Sequence, residues 1–460
     1  MYYHDKPAIL QFVSPCAKIG ISGVIMCIAA AIATAMHGLL WRMYIVHDVL
    51  SPVMMFLNEI SVALLTCGIA ALLAAAVWAV GMTDAQKIKI MIQRRLFDPR
   101  YGNPLHYKEG ERLPKITCRA TGRGRYALTI TATSNTVQEI IDISTSISSG
   151  LNRKYGRYAV TQSDADMAFG SVTFTLNDVT ADRSLKVHKV DELRQTDPAK
   201  IIVQDGTYID LTTSGSMISA GKTRSGKTTG VISILLQALQ AGRDKYGSEI
   251  VIIDPKQAEL SRLNHVYTLD VDGEARGILE AIRQFADTIK KRQKVLNDLS
   301  AKEGDAVHWW DAGMHVSLLF IDEYIALRGI FPKRAVKDDE GYNLAEFDTI
   351  LKRIVTMGAS AGCYAIISIA EASVDEGGLP AMLRSACSTK ILFRPTPVEG
   401  RFLWDSERLR DMPQRFYQSG DAWFSSTDGE HDTVTYVHFP IMKFRVYGEL
   451  NRLLGDYYRE

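Results

Sequence analysis

Apolar residues along this chain fall into runs of three different periods. Between Lys18 and Arg42, and again from Ile60 to Val80, there is no Asp, Glu, Lys or Arg, and Ile, Ala, Val, Leu and Met dominate. At about 1.5 Å per residue, either run as a helix crosses a hydrocarbon core of about 30 Å. The short connection around Tyr44–Pro52 makes the pair a hairpin, with spans at about 19–41 and 55–80 inside an anchor covering residues 1–100. Trp41, Tyr44 and Trp78 stand near the span ends, where amphipathic rings prefer the interface. A cleavable signal peptide fits poorly, because the first run lacks a compact basic start and a second span follows.

From residue 101 to 188 the period shortens to two. Lys115–Arg119 and Tyr126–Thr131 alternate as strands, with Gly122 and Gly124 marking the turn. Val137–Ile147 has helical spacing, and Tyr158–Val160 and Ser171–Thr175 read as two more strands. This predicts a small α+β domain, an interaction or assembly module. Arg119, Arg123 and Arg125 at its hairpin tip are compatible with a nucleic-acid contact and equally with a solvated turn. Residues 189–210 read as a linker with one or two strands, opening a third domain that covers 189–460.

In that domain the strands become continuous apolar runs: Ser216–Ala220, Glu249–Asp254, Val316–Ile321, Tyr364–Ile369 and Thr389–Phe393. Helical stretches at Val231–Leu236, Glu274–Leu299 and Phe347–Ser360 separate them. Unbroken apolar strands alternating with helices predict an α/β fold, a parallel sheet covered on both faces.

Charge orients the chain. Lys6 and Lys18 precede the first span, and Lys87, Lys89, Arg94, Arg95 and Arg100 follow the second, while the connection carries only Arg42. By the positive-inside rule this is a multi-pass protein of the cell membrane with both termini, and the third domain, in the cytoplasm. Glu59 and His37 lie at span ends, where snorkelling explains them. The net charge of +1 points to neither nucleic acid nor an acidic partner, so any basic surface is local. The six cysteines are scattered, with no CxxC pair, and read as buried thiols in a reducing compartment.

The chemistry begins at Ser219–Gly230, SAGKTRSGKTTG, which contains G-x-x-x-x-G-K-[ST]. Gly221, Ser225 and Gly226 belong to a loop whose amides curl toward phosphate, and Lys227 reaches the β- and γ-phosphates. The Thr228 hydroxyl ligates Mg²⁺, and Thr229 sits in the first turn of the helix that follows. About ninety residues on, an apolar strand ends in Asp322-Glu323, the Walker B pattern. Asp322 holds Mg²⁺ and Glu323 polarises the attacking water as general base. Together these predict ATP and Mg²⁺ as ligands.

The set AGKTRSGKTTG, IIDPKQAELSRL, LLFIDEY and GASAGCYAIISIAEASVD resembles the motor domain of FtsK/SpoIIIE-like DNA translocases. The D-P-K-x-x-E-L run is more specific to that group than either Walker motif. The order of parts is similar to the FtsK-like coupling proteins of Gram-positive conjugative plasmids and integrative elements. The resemblance implies a RecA-like P-loop motor, a homo-hexameric ring and Mg·ATP hydrolysis coupled to passage of DNA. As partners it implies a relaxase and secretion-channel proteins. It places Arg401, in Glu399-Gly400-Arg401-Phe402-Leu403, where the family has an arginine facing a neighbour's nucleotide; a surface arginine satisfies the same pattern. No winged-helix module is expected after Pro440-Ile441-Met442.

Two positions depart from the family. Ala370 stands where a glutamine senses the γ-phosphate, and Ala359 where an arginine precedes the fourth strand. Alanine neither donates to phosphate nor stabilises charge. Glu371, Lys352, Arg353 and Arg384 are the residues nearby that could substitute. Three functions therefore stay open: a DNA-translocating coupling protein, a motor for protein secretion, and an ATP-binding scaffold with little turnover.

Overall fold

The computed structural model describes residues 2–3, 15–42, 51–122, 124–334, 339–370, 379–404, 416–429 and 431–459. The expectations placed on Lys6, Tyr44, Arg123 and Glu371 fall outside them. The chain divides into two compact units, Met1–Ala181 and Asp182–Glu460.

The first unit opens with α1 (Pro15–Arg42) and α2 (Ser51–Gly81). Both are long and apolar enough to cross a membrane by length and composition. Their packing is inside out. A Cβ on Gly23 would stand 2.8 Å from the Gly68 carbonyl oxygen, and one on Gly68 2.7 Å from Cys27 Sγ, so the backbones touch there. Ser61 Oγ donates to the Ala30 carbonyl at 3.1 Å and lies 2.5 Å from Thr34 Oγ1. Meanwhile Ile25, Leu39, Leu73 and Val77 are exposed. Small and hydroxyl-bearing residues at the contact with bulky residues outside is how helices associate in lipid.

Helix α3 (Asp84–Phe97) follows, opened by a capping box in which Thr83 and Gln86 satisfy each other's backbone amides. Its Ile88, Ile92 and Leu96 are fully buried at i, i+4, i+8. They join the core of a four-stranded antiparallel sheet built from β1 (Ile116–Gly122), β2 (Arg125–Thr131), β3 (Tyr158–Ala165) and β4 (Ser171–Asp178), in the order β1-β2-β4-β3. Sequence patterning assigns this helix to the anchor, because interleaved basic residues mask its apolar stripe. The predicted helix over 137–147 is two short helices, α4 (Val137–Asp142) and α5 (Ser144–Gly150), broken at Ile143. There the serines compete with the helix: Ser148 Oγ donates to Ser144 O and accepts from Val160 N.

The second unit begins with β5 (Lys186–Val187) and a hairpin of β6 (Lys200–Gln204) and β7 (Thr207–Asp210), and runs through β8 (Met217–Ala220) into α6 (Lys227–Gln240). Then come β9 (Ile250–Ile253), β10 (Val266–Tyr267), α7 (Arg276–Glu303), β11 (Ser317–Ile321), α8 (Tyr324–Ile330), α9 (Leu344–Met357) and β12 (Cys363–Ile369). The chain closes with α10 (Ala381–Ala386), β13 (Thr389–Phe393), α11 (Pro397–Leu403), β14 (Asp421–Ser425), β15 (Thr435–His438), β16 (Ile441–Met442) and α12 (Val446–Arg459). Among the described residues one eight-stranded sheet runs β10-β9-β11-β12-β8-β13-β14-β15, parallel as far as β13 and antiparallel beyond. Helices α7 and α9 cover one face, α6 and α12 the other.

Residues 189–210 are part of this unit rather than a linker. Val190, Leu193, Ile201, Val203 and Ile209 are buried in the α6 face. Gln237 of α6 binds the β6 backbone twice, accepting from Ile202 N at 2.8 Å and donating to Ile202 O at 3.0 Å. Strand β12 lies between β8 and β11, so the ends of the P-loop strand and the Asp322 strand flank it. This is the RecA-like α/β architecture, and its crevice opens outside the carboxyl ends of the parallel strands.

Candidate nucleotide site

The loop between β8 and α6 is shaped by backbone that only glycine tolerates. Gly226 has φ +93°, and a Cβ there would lie 2.6 Å from Gly420 N and 2.9 Å from Ser419 Oγ. The close approach is fixed by a backbone bond, Gly420 N donating to Ser225 O at 2.9 Å. A Cβ on Gly230, one turn into α6, would stand 2.4 Å from Phe393 Cζ, so the helix start is pressed against β13. Gly226 caps α6 with no side-chain bond, which leaves its first amides directed out of the helix end, where the dipole also favours an anion. Ser225 is buried and its Oγ has no partner among the described residues. Gly221 is buried, Thr228 is half-buried and Thr229 is exposed.

The acidic residues arrive on the neighbouring strands. Register pairs Ile321 of β11 with Ile367 of β12, and Ile369 of β12 with Ala220 of β8, so Asp322, Ala370 and the loop gather at one sheet edge. Asp322 accepts from Ser368 Oγ at 3.2 Å. Glu323 is 7% exposed and holds a left-handed backbone, φ 68° and ψ 67°, a strained state for a non-glycine residue. Its Oε2 lies 3.0 Å from Lys256 Nζ and 3.7 Å from Lys227 Nζ, and its Oε1 accepts from Ala370 N at 3.1 Å. Burial pushes the Lys227 ammonium down from its ordinary value, against the pull of Glu323 and Asp322. Burial pushes Asp322 up, opposed by Lys227 and assisted by Asp254. Lys227 and Glu323 are thus mostly buried while Lys256 is half-exposed, so like and unlike charges meet at the edge of solvent beside the loop. These residues fit a magnesium nucleotide: amides and Lys227 for phosphate, the Thr228 hydroxyl and the Asp322 carboxylate for the cation.

The structure brings together Gly221, Ser225, Gly226, Lys227, Thr228, Asp322 and Glu323. Arg401 is not among them. It is exposed on α11 and lines a separate cavity of about 1000 Å³ with Arg384, Lys390 and Trp404. The face of α11 toward the loop carries Glu399 instead, 3.8 Å from Lys222. Ala359 lies at the opposite end of β12 from Glu323. The seven strand residues between span about 20 Å, so a side chain at 359 cannot reach this nucleotide pocket. Ala370 does sit at the site, through its amide. Three residues escape the motif reading. Lys256 pairs with Glu323, Ser368 with Asp322, and fully buried Asp254 accepts from the amides of Lys256, Ala258 and Ser261. The signal for Asp254 and Lys256 is the D-P-K run after an apolar strand; Ser368, inside β12, carries none.

The FtsK/SpoIIIE family profile matches residues 183–323, so the chain carries an FtsK/SpoIIIE domain. The FtsK domain-containing protein YdcQ of Bacillus subtilis is 26% identical over 152 residues, 33% of this chain and 28% of that protein. The DNA translocase FtsK of Helicobacter pylori J99 is 24% identical over 239 residues, 49% of this chain and 26% of that one. The matches span about a quarter of each relative's length. Among solved structures, the pCW3 conjugation coupling protein TcpA, in monomer form with ATPγS, superposes at a TM-score of 0.47 with 13% identity, covering 82% of this chain and 99% of that chain. The cytoplasmic domain of the type VII secretion ATPase EccC of Thermomonospora curvata gives 0.38 with 14% identity, covering 58% and 32%.

Proposed function

From the FtsK/SpoIIIE domain that this chain carries, we propose that it is a membrane-anchored, DNA-translocating ATPase acting as a coupling protein in conjugative DNA transfer. The observation that supports this reading is the meeting of Lys227, Asp322 and Glu323 at the carboxyl edge of β8 and β11. In it, the loop amides and Lys227 bind and orient the phosphates, and Glu323 takes the proton of the attacking water. Thr228 and Asp322 hold the magnesium ion, which supplies charge neutralisation on the phosphates when bound. The α1–α2 hairpin anchors the protein, with the motor in the cytoplasm. A homo-hexamer acting with a relaxase and channel proteins completes the proposal, and Arg401 then faces a neighbour's site.

A second reading, an ATP-binding scaffold with little turnover, is favoured by Ala370, which brings only an amide to Glu323. One experiment separates the two. ATP hydrolysis by the full chain in nanodiscs is measured with and without single- and double-stranded DNA, beside Lys227→Ala. Turnover that DNA stimulates and Lys227→Ala abolishes supports the motor. ATP binding without turnover under every DNA condition refutes it and supports the scaffold.

A further inference from the structure

In the first unit, three arginines meet around a cavity that the nucleotide chemistry does not use. It measures about 550 Å³ and is lined by Arg94 and Arg95 from the last turn of α3, Tyr101, Ser149 at the end of α5, Asn152 and Arg153. We propose that this cavity binds a phosphate monoester, carried on a lipid headgroup or on a soluble small molecule.

Charge is the first argument. Among the described residues no carboxylate lines the cavity. The carboxylates nearby are engaged elsewhere: Asp98 by Arg100 at 2.5 Å and Asp84 by Lys154 at 2.8 Å. Arg94 lies 5.8 Å from the Tyr101 ring centre, a weak contact for a cation. Neither Arg94 nor Arg153 has a carboxylate partner among the described residues. Asp98 feels the Arg94 charge but spends its bonds on Arg100, and three guanidinium groups with no carboxylate bonded to them match an anion, their forked donors suiting phosphate oxygens.

The cavity is also built rather than incidental. Arg95 donates through Nη1 to the Tyr101 carbonyl at 2.8 Å, which fixes its plane. Its Nε is buried with no acceptor among the described residues. A Cβ on Gly150 would lie 2.6 Å from Arg95 Cγ, so the glycine lets the arginine stem pack against the end of α5. Arg153 holds φ 54°, a left-handed backbone that costs a non-glycine residue energy. Local stability would favour glycine at that position; a guanidinium directed at a ligand explains an arginine.

The test uses the full chain in detergent micelles. Glycerol 3-phosphate is the soluble probe, followed by titration calorimetry. Phosphatidic acid and phosphatidylglycerol are the lipid probes, counted as bound molecules by native mass spectrometry. The expected result is binding of a monoester, weakened about tenfold or more in Arg153→Glu and Arg94→Glu, as loss of a charge-assisted bond implies. Arg119→Glu, the same charge reversal at an exposed position of β1 outside the cavity, should leave it unchanged. Binding of both glycerol 3-phosphate and phosphatidic acid supports a soluble source; phosphatidic acid alone supports a lipid source. Arg153→Gly keeps the fold under test, since it relieves the backbone: affinity falls while Tm holds or rises. Equal loss in Arg119→Glu and Arg153→Glu, equal uptake of phosphatidylglycerol, or no binding of any probe would each overturn the proposal.

Discussion

Lys256 is the residue whose replacement asks most of the site geometry. Its ammonium lies 3.0 Å from Glu323 Oε2, closer than Lys227 at 3.7 Å. With nucleotide bound, Lys227 is drawn to the phosphates, which leaves Lys256 and the Ala370 amide to hold the carboxylate that receives the proton. The Lys256 side chain is 51% exposed, so solvent screens the pair and its worth is about 1 kcal/mol or less. If all of that serves the transition state, Lys256→Gln slows kcat about fivefold. KM for ATP stays where it was, because Lys256 touches neither the loop nor Thr228. Steady-state Mg·ATP hydrolysis by the full chain at saturating DNA reads both constants. The gap between wild type and variant should narrow with added salt, and Lys256→Arg should recover part of the rate. A kcat that holds or rises, or a loss confined to KM, refutes a positioning role for Lys256.

Three further outcomes follow from the second unit. Asp322→Asn should abolish turnover yet raise the denaturation midpoint at neutral pH, because burial raises the native Asp322 above its ordinary value. The sign is that native protein binds this proton more tightly than unfolded chain, so wild type loses stability as pH rises from 3.8 through the raised value. The variant's advantage should therefore vanish below that window, as urea melts across pH would show. Gly230→Ala should cost about 1–3 kcal/mol and weaken nucleotide binding, since the methyl would stand 2.4 Å from Phe393 Cζ; an unchanged urea midpoint would refute the contact. Arg292 is fully buried and donates to the His315 carbonyl at 2.7 Å and toward Asp244 at 3.5 Å. Arg292→Leu removes the charge partner of Asp244, whose carboxylate keeps the amides of Tyr246, Ser248 and His315, and should cost about 1–3 kcal/mol, read by equilibrium unfolding; an unchanged midpoint would refute the pairing.

The second unit was legible because its central strands are uninterrupted apolar runs, two of which end at the site. Ala220 leads into the loop and Ile321 into Asp322, and no other period competes there. The small domain was less so. Ile88, Ile92 and Leu96 keep helical spacing, but Lys87, Lys89, Arg94 and Arg95 around them read as a membrane-flanking segment. Residues 189–210 look polar enough for a linker until Gln237 is seen binding the β6 backbone from a distant helix. At the site, side-chain chemistry was readable and backbone chemistry was not. The amide of Ala370 reaches Glu323 whatever residue stands there, and the pairing of Lys256 with Glu323 joins positions 67 apart in sequence.

The place of α3 decides where this chain can be cut. A fragment begun at Met91, inside the basic run, would discard Thr83, Gln86 and Ile88, and with them the helix's start and part of the sheet's cover. The open groove left on the four-stranded sheet would be an invitation to aggregate. A fragment begun at Met82 keeps the capping box and leaves behind the hairpin, whose outward Leu and Val side chains need detergent, together with Tyr3, which is buried beside Tyr107 in the same core. Any biochemistry on a soluble piece therefore depends on nine residues that, by charge alone, look expendable.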